Sequence, residues 1–329
     1  MVKRQRSEDS IIRMIQQTIT RRGKVRVGIG DDACVLAGGQ VMTTDAYADR
    51  VHFDLGYMSW REVGGRCACA AVSDVVAMGA EPEAVLVALG LPRLSTDRDV
   101  RELYRGIDAV CSETGCEVAG GDIIVMARLC LALTATGRTR RPLLRSGAKP
   151  GDTLYVTGTL GAAEAGRLLL ARAARSGRRV PAWGAELVER HVRPIPRLGV
   201  ARQLRSRMHA LIDTSDGLGT DARHLAEMSR MRVVVEAESL PVHPGTARYC
   251  LEQGTDLVGF VLGAGEDYEL LFASPSRLPE LVRGVKLTAV GRVEQGRGLW
   301  LEQNGRARPL PACGYDHMSY VNETPNVHK

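Results

Sequence analysis

VRVGIGDDACVLAGGQVMTTD, residues 25–45, decides how this chain is read. Its apolar pieces at 25–29, 33–36 and 40–44 have the β-branched content and glycine punctuation of short strands. The first runs into Asp31 and Asp32, and the third runs through Thr43 and Thr44 into Asp45. The pattern recurs downstream. CACAAVSD (67–74) closes on Asp74, and EVAGGD (117–122) closes on Asp122. LIDTSD (211–216) carries Asp213 and Asp216, and VLGAGED (261–267) closes on Glu266 and Asp267. One acid ending a strand is ordinary, because loops are polar. Acids ending so many separate segments point to a single site, where a shared cation relieves their repulsion. Magnesium suits such a set, since it takes hard oxygen ligands and retains water. The expected purpose is to hold a polyphosphate.

The 329 residues suffice for one large domain or two ordinary ones. A hydrophobic content of 44% with 25% charged residues is that of a globular protein. Glycine is abundant and aromatics make up only 4%, so cores built from Ala, Val and Leu are expected. The longest clean apolar run, 84–91, is too short to span a bilayer. The opening MVKRQRSEDS leads into no apolar signal segment, so a cytoplasmic protein without a membrane partner is expected. None of the eight cysteines forms a CxxC pair, which favours buried free thiols over a metal site. The formal charge of +6 comes from arginine clusters in separate loops without interleaved aromatics, so no nucleic-acid partner is expected.

Periodicity and composition predict helices at 8–20 (capped by Ser10), 60–78 (Ala/Val/Cys-rich without alternation, hence largely buried), 97–114, 160–176, 184–190, 198–206, 218–229 and 278–284. Further strands are expected at 85–91, 116–119, 128–137, 153–156, 209–212, 232–236, 257–262, 268–273 and within 286–303. Pro82 reads as closing the exit loop of the second helix. The basic stretch 138–151, with its Pro and Gly, divides the chain into 1–139 and 140–329. The fold class is α/β (α+β).

Each motif also has a plainer reading. GIGDD at 28–32 lacks the third glycine of a dinucleotide fingerprint and could be a tight turn. Thr43 and Thr44 are good strand residues in any case. Asp74 lies in an Ala/Val helix, where an unpaired charge costs several kcal/mol, so it needs a metal, Arg66 or an exposed helix face. Asp216 reads equally as a helix cap, although a helix start with Ser215 beside it also suits a phosphate. Arg145 suits a phosphate, and His52 alone reads as a structural histidine. P-loop, protein-kinase, HExxH and GxSxG motifs are absent, so any phosphoryl transfer uses another scaffold.

In order, GIGDDA (28–33), TTDA (43–46), RVHFDL (50–55), VSDVVAMGAEP (72–82), GGD (120–122), RSGAKPGDTLYVTGTLG (145–161), RHVRPIPR (190–197), IDTSDGL (212–218), GEDYELLF (265–272), VGR (290–292) and GYDH (314–317) cover nearly the whole chain. This series resembles the thiamine-monophosphate kinase family of the aminoimidazole ribonucleotide synthetase-like superfamily. The resemblance implies two domains, an N-terminal mixed-sheet dimerisation domain and a C-terminal α/β domain closing over the nucleotide. It implies ATP-dependent phosphorylation of thiamine monophosphate, with ATP as co-substrate, several Mg2+ ions and a homodimer. Carried over by motif, Asp32, Thr44, Asp45, Asp74, Asp122, Asp213 and Asp216 would hold magnesium, with Asp31 and Thr43 as further ligands. Tyr104, Gly121, Asp122, Arg145 and Ser215 would surround ATP; His52, Glu266 and Tyr315 would face the thiamine phosphate. No general base is implied.

The chain departs from the family pattern after GGD, where Ile123, Ile124 and Val125 replace two threonines and an arginine, and at Ala71, which replaces an asparagine. The first departure sustains an alternative, a non-catalytic nucleotide or thiamine-phosphate binder. Another ATP-using enzyme of the superfamily is the remaining rival, although the lysine- or cysteine-bearing N-terminal motifs of such synthetases are not present.

Overall fold

The computed structural model describes residues 7–20, 22–311, 313–315 and 318. After helix α1 (Glu8–Thr18) come β1 (Val25–Val27), β2 (Cys34–Leu36), β3 (Gln40–Ala48), α2 (Trp60–Ala77), β4 (Glu81–Pro92), α3 (Asp97–Thr114), β5 (Glu117–Met126) and β6 (Cys130–Arg138). These strands form a mixed sheet in the order β1-β2-β3-β6-β4-β5, parallel only between β4 and β5. Alternation along β3, β4 and β6 separates its faces. Val41, Val85, Val87, Leu131 and Leu133 point into the core, while Thr44, Ala46, Leu86 and Ala88 on the opposite face are exposed.

The second half comprises β7 (Thr153–Thr157), α4 (Ala162–Ser176), α5 (Ala185–Val192), α6 (Leu198–Leu204), β8 (Ala210–Asp213), α7 (Leu218–Ser229), β9 (Arg232–Glu236), α8 (Pro244–Gln253), α9 (Leu257–Gly263), β10 (Leu270–Ser274), β11 (Leu281–Val282), β12 (Val285–Glu294), β13 (Gly298–Gln303) and β14 (Arg306–Pro309). Its sheet runs β14-β13-β9-β12-β7-β10-β8, with β11 paired to β12. The central strands are buried on both faces. Leu154, Val156, Ile212 and Leu271 join the core under α7 and α9, while Tyr155, Leu211 and Phe272 join the core around α2.

Helix α2 positions the chemistry. It touches β3, β4 and β6 of the first sheet and also β8, α5 and α6 of the second half. A helix packed on every side has no polar stripe, which explains its Ala, Val, Gly and Cys composition. A capping box starts it, with Ser59 accepting from the Glu62 N–H and Glu62 accepting from Ser59. Its crossing with α3 is close. A Cβ on Gly106 would lie 2.0 Å from the Arg61 carbonyl oxygen, and one on Gly64 equally near that of Leu103. Gly106→Ala is therefore expected to destabilise the protein by about 2 kcal/mol, the overpacking penalty exceeding the propensity gain. Urea unfolding measures this, and a more stable variant would contradict the close crossing.

Several expectations from sequence are corrected. The first helix starts at Glu8 under a Ser7 cap, not a Ser10 cap. Pro82 lies inside β4, at an irregularity where a lost N–H is tolerated. The strand expected at 116–119 continues to Met126. Residues 257–262, expected as a strand, form α9, whose start is capped by Asp256 accepting from Gly259 N–H at 2.7 Å. No helix occupies 278–284, where the two-residue β11 turns back onto β12.

A candidate cation and phosphate site

Three segments far apart in sequence deliver acids to one point. The loop after β1 supplies Asp32, the last turns of α2 supply Asp74, and the end of β8 supplies Asp213. One carboxylate oxygen from each lies within 4.8 Å of the others. Asp32 and Asp213 are buried and Asp74 is partly so. Neighbouring hydroxyls fix two of them: Thr43 donates to Asp74 Oδ2 at 2.7 Å, and Ser73 donates to Asp213 Oδ2 at 2.6 Å. Arg145 donates through Nε (2.9 Å) and Nη2 (2.6 Å) to Asp32 Oδ1. Its backbone N–H reaches Asp31 Oδ1 at 3.1 Å. Asp32 Oδ2 stays buried without a hydrogen-bond donor.

The electrostatics show how crowded the acids are. Burial pushes the Asp213 carboxyl up to about 8, with Asp32 adding to it. Burial, then Asp45, Asp213 and Asp32, push Asp74 well above the carboxylate range. Burial also raises Asp32 and Asp45, against Arg145 and against the Tyr47 hydroxyl that donates to Asp45 at 2.8 Å. Asp31 rises to about 6 through burial and Asp32. An orphaned buried oxygen among converging carboxylates is what a hard divalent cation satisfies, so these residues fit one.

The sign of the pH effect follows. Both the Asp31 and Asp213 carboxyls bind protons more tightly folded than unfolded. Their contribution is complete at low pH and is lost as pH rises from about 4 to about 8. Chelated protein should therefore melt at lower temperature as pH climbs through that window, and millimolar magnesium should restore it. A chelated protein whose melting point rises steadily over the window would contradict the crowding.

The remaining expected residues divide. Tyr47 packs edge-on to His52 with ring centroids 5.7 Å apart, which sets His52 one residue from Asp45. The loops of Ser215 and Asp216, of Glu266 and of Tyr315 are laced together. Glu266 N–H donates to the Ser215 carbonyl at 2.8 Å, and Tyr315 N–H donates to that of Asp216 at 3.0 Å. Asp216 does not cap α7; the cap position is Gly217, without a side-chain bond. Arg66 does not partner Asp74, because its guanidinium pairs with Glu266 and donates to the His191 carbonyl at 2.5 Å. Thr44 lies on the opposite face of β3, where Thr134 donates to it at 3.1 Å. Asp122 is exposed on β5 beside Ala88, which is beside Ala132, which is beside Ala46. That path crosses three strand spacings, about 14 Å. Gly121 has a packing reason of its own, since a Cβ there would lie 1.9 Å from the Val87 oxygen. Tyr104 is half-buried on α3. Asp316 and His317 of the GYDH motif lie outside the described residues.

Sequence reasoning missed Ser73 and Asp221. Ser73 only precedes a noticed acid. Asp221 is buried in the first turn of α7 with Oδ2 lacking a donor, raised by burial and then by Asp216 and Asp213. An acid in a first helical turn looks ordinary in sequence, so nothing marked it. A cavity of about 800 Å³ lies elsewhere. Glu62 in its wall is twelve residues along α2 from Asp74, about 18 Å, and its cations face as many acids.

Comparison with known proteins finds relatives over nearly the whole chain. A family model described as AIR synthase related protein, N-terminal domain, matches residues 30–139. The thiamine-monophosphate kinase of Aquifex aeolicus (strain VF5) is 33% identical over 300 residues, covering 90% of this chain and 94% of that protein. The enzyme of the same name from Rhodopirellula baltica is 32% identical over 311 residues, covering 89% and 91%. A solved structure, AaThiL complexed with AMPPCP and TMP, superposes with a TM-score of 0.86 at 31% identity, covering 94% of this chain and 97% of that one.

Proposed function

We infer, from the fact that this chain belongs to the thiamine-monophosphate kinase family and from its convergent carboxylates, that it transfers the γ-phosphoryl group of ATP to thiamine monophosphate. The products are thiamine diphosphate and ADP. The observation that carries the reading is the gathering of Asp32, Asp74 and Asp213 within 4.8 Å. These three, with Asp45 and Asp31 beside them, would hold magnesium, which when bound neutralises phosphate oxygens that otherwise repel one another.

The acceptor is an ionised phosphate oxygen at neutral pH, so direct in-line transfer needs no general base. The chain's own contribution is placement and charge. Arg145, held by Asp32, would supply a cation to the nucleotide phosphates, and Ser215, in the loop before α7, would donate to them. Glu266, fixed by Arg66, His52 and Tyr315 would orient the thiamine phosphate. Tyr104 and Gly121 complete the expected nucleotide contacts. We take residues 1–139 and 140–329 as the two domains that meet around these ligands.

Thr44 and Asp122 fall outside the acid cluster of a single chain, and a homodimer accounts for this. β5 is the edge of its sheet and presents Ile123, Ile124 and Val125, each more than half exposed. An exposed apolar edge invites a second copy, which would bring its Gly121 and Asp122 toward the site. The departure from the family pattern thus strengthens an apolar contact. Ile124→Asp should yield a monomer by light scattering with at least about a tenfold loss of turnover, since a charge is unfavourable in the core of such a contact. A dimeric, fully active variant would remove β5 from the interface.

The deciding experiment incubates the protein with ATP, magnesium and thiamine monophosphate and identifies the products by mass spectrometry. Thiamine diphosphate and ADP in equal amounts are expected. Binding of both ligands by calorimetry with no ADP released would mark a non-catalytic binder instead.

A further inference from the structure

We propose that Cys111 and Cys116 form a reactive dithiol that a hydroperoxide converts into an intramolecular disulfide. Helix α3 ends in a left-handed Gly115, with φ +77°. The Cys116 N–H donates to the Cys111 carbonyl at 3.0 Å, the six-residue closure that brings the side chains on either side of such a helix end into contact. In most helices that contact is between two apolar side chains; here both are buried thiols. The backbone bond between the same residues keeps their Cα atoms near the roughly 5–6 Å that a disulfide spans.

The surroundings distinguish this pair from the other cysteines. The neighbouring Cys111 thiol draws the Cys116 thiol below the usual thiol range against burial, and the Thr114 hydroxyl, 3.3 Å from its sulfur, assists. Burial instead pushes Cys67 and Cys69 up. Both sulfurs of the pair are covered, but Gly115 between them has open space where a side chain would be. Fraying of this last turn therefore exposes Cys116 to a small oxidant.

In the first step the Cys116 thiolate attacks the peroxide, gaining one oxygen as sulfenic acid and expelling hydroxide. The Cys111 sulfur then attacks the sulfenic sulfur and expels water. In total two thiols and one hydrogen peroxide give one disulfide and two waters. The bridge joins the last turn of α3 to the residue preceding β5, the strand that carries Gly121 and Asp122. A thiol reductant would reverse it.

Trypsin provides a direct test, because segment 106–128 contains these two cysteines and no other. After stoichiometric hydrogen peroxide, that segment should be lighter by two hydrogens, and dithiothreitol should restore its mass. Cys111→Ser should leave a Cys116 sulfenic acid that dimedone traps, whereas Cys116→Ser should abolish the mass loss. Both substitutions are close in shape to cysteine, and a melting temperature like the parent's checks that each variant folds. Two intact thiols in segment 106–128 after peroxide is consumed elsewhere would overturn the proposal. So would failure of dimedone to label the Cys111→Ser variant.

Discussion

Asp74→Asn lowers turnover at least about a hundredfold while the metal-free protein melts at a higher temperature than the parent. The two effects share one cause. Asp74 is raised by burial and by the charges of Asp45, Asp213 and Asp32, so its ionised form strains the fold when no cation is bound. Asparagine keeps the oxygen that accepts from Thr43 and removes the charge. The strain goes, and with it a ligand that would neutralise phosphate charge during transfer. Removing a single charge-stabilising group from such a site costs about a hundred- to a thousandfold. ADP release under saturating substrates and thermal melts in chelator read both effects. Parental turnover in the variant would show that the acids are not the cation site. Unchanged turnover of Asp213→Asn would show the same.

The second large effect is expected at Arg66. Its side chain is 3% exposed, pairs with Glu266 and donates to the His191 carbonyl. Arg66→Met fills similar volume but leaves a carboxylate and a buried carbonyl without a donor. Stability should fall by about 3 kcal/mol, the lower end for breaking a buried pair because Glu266 is partly exposed. The loop it anchors is held in an uncommon conformation, with Glu266 at φ +68° and Tyr268 at φ +50°. Freed of Arg66, that loop should lose its grip on the acceptor, so KM for thiamine monophosphate should rise more than kcat falls. Adding Glu266→Gln removes the stranded charge and should recover part of the lost stability. A double variant less stable than Arg66→Met would sink the pairing argument.

How legible the molecule was depended on whether its signals were local. Helix α3 spans the residues read from sequence because Thr96 and Asp99 form its capping box and Gly115 ends it. The run LVGFVL was misread as a strand because a short apolar segment fits either structure, and the Asp256 cap decides it. The end of β5 was missed because GGD resembled a loop, whereas β4 pairs with the strand through Met126. Asp32, Asp74 and Asp213 were legible as acids closing apolar segments. Asp221 and Ser73 were not, because nothing in their own segments sets them apart.

By itself the sequence determined which residues carry charge at the ends of hydrophobic segments, and so what chemistry the chain has available. Capping, glycine breaks and side-chain alternation are contacts within a few residues, and the chain order specifies them directly. Only the tertiary structure decided which charges meet. Ser73 and Asp213 are 140 positions apart and share a hydrogen bond, and Arg145 and Asp32 are 113 apart and form an ion pair. Asp45 and Asp122 sit within strands of the same sheet yet lie on opposite faces, about three strand spacings apart. Sheet order and the burial of α2 between two layers set those distances, and neither is encoded in any one segment.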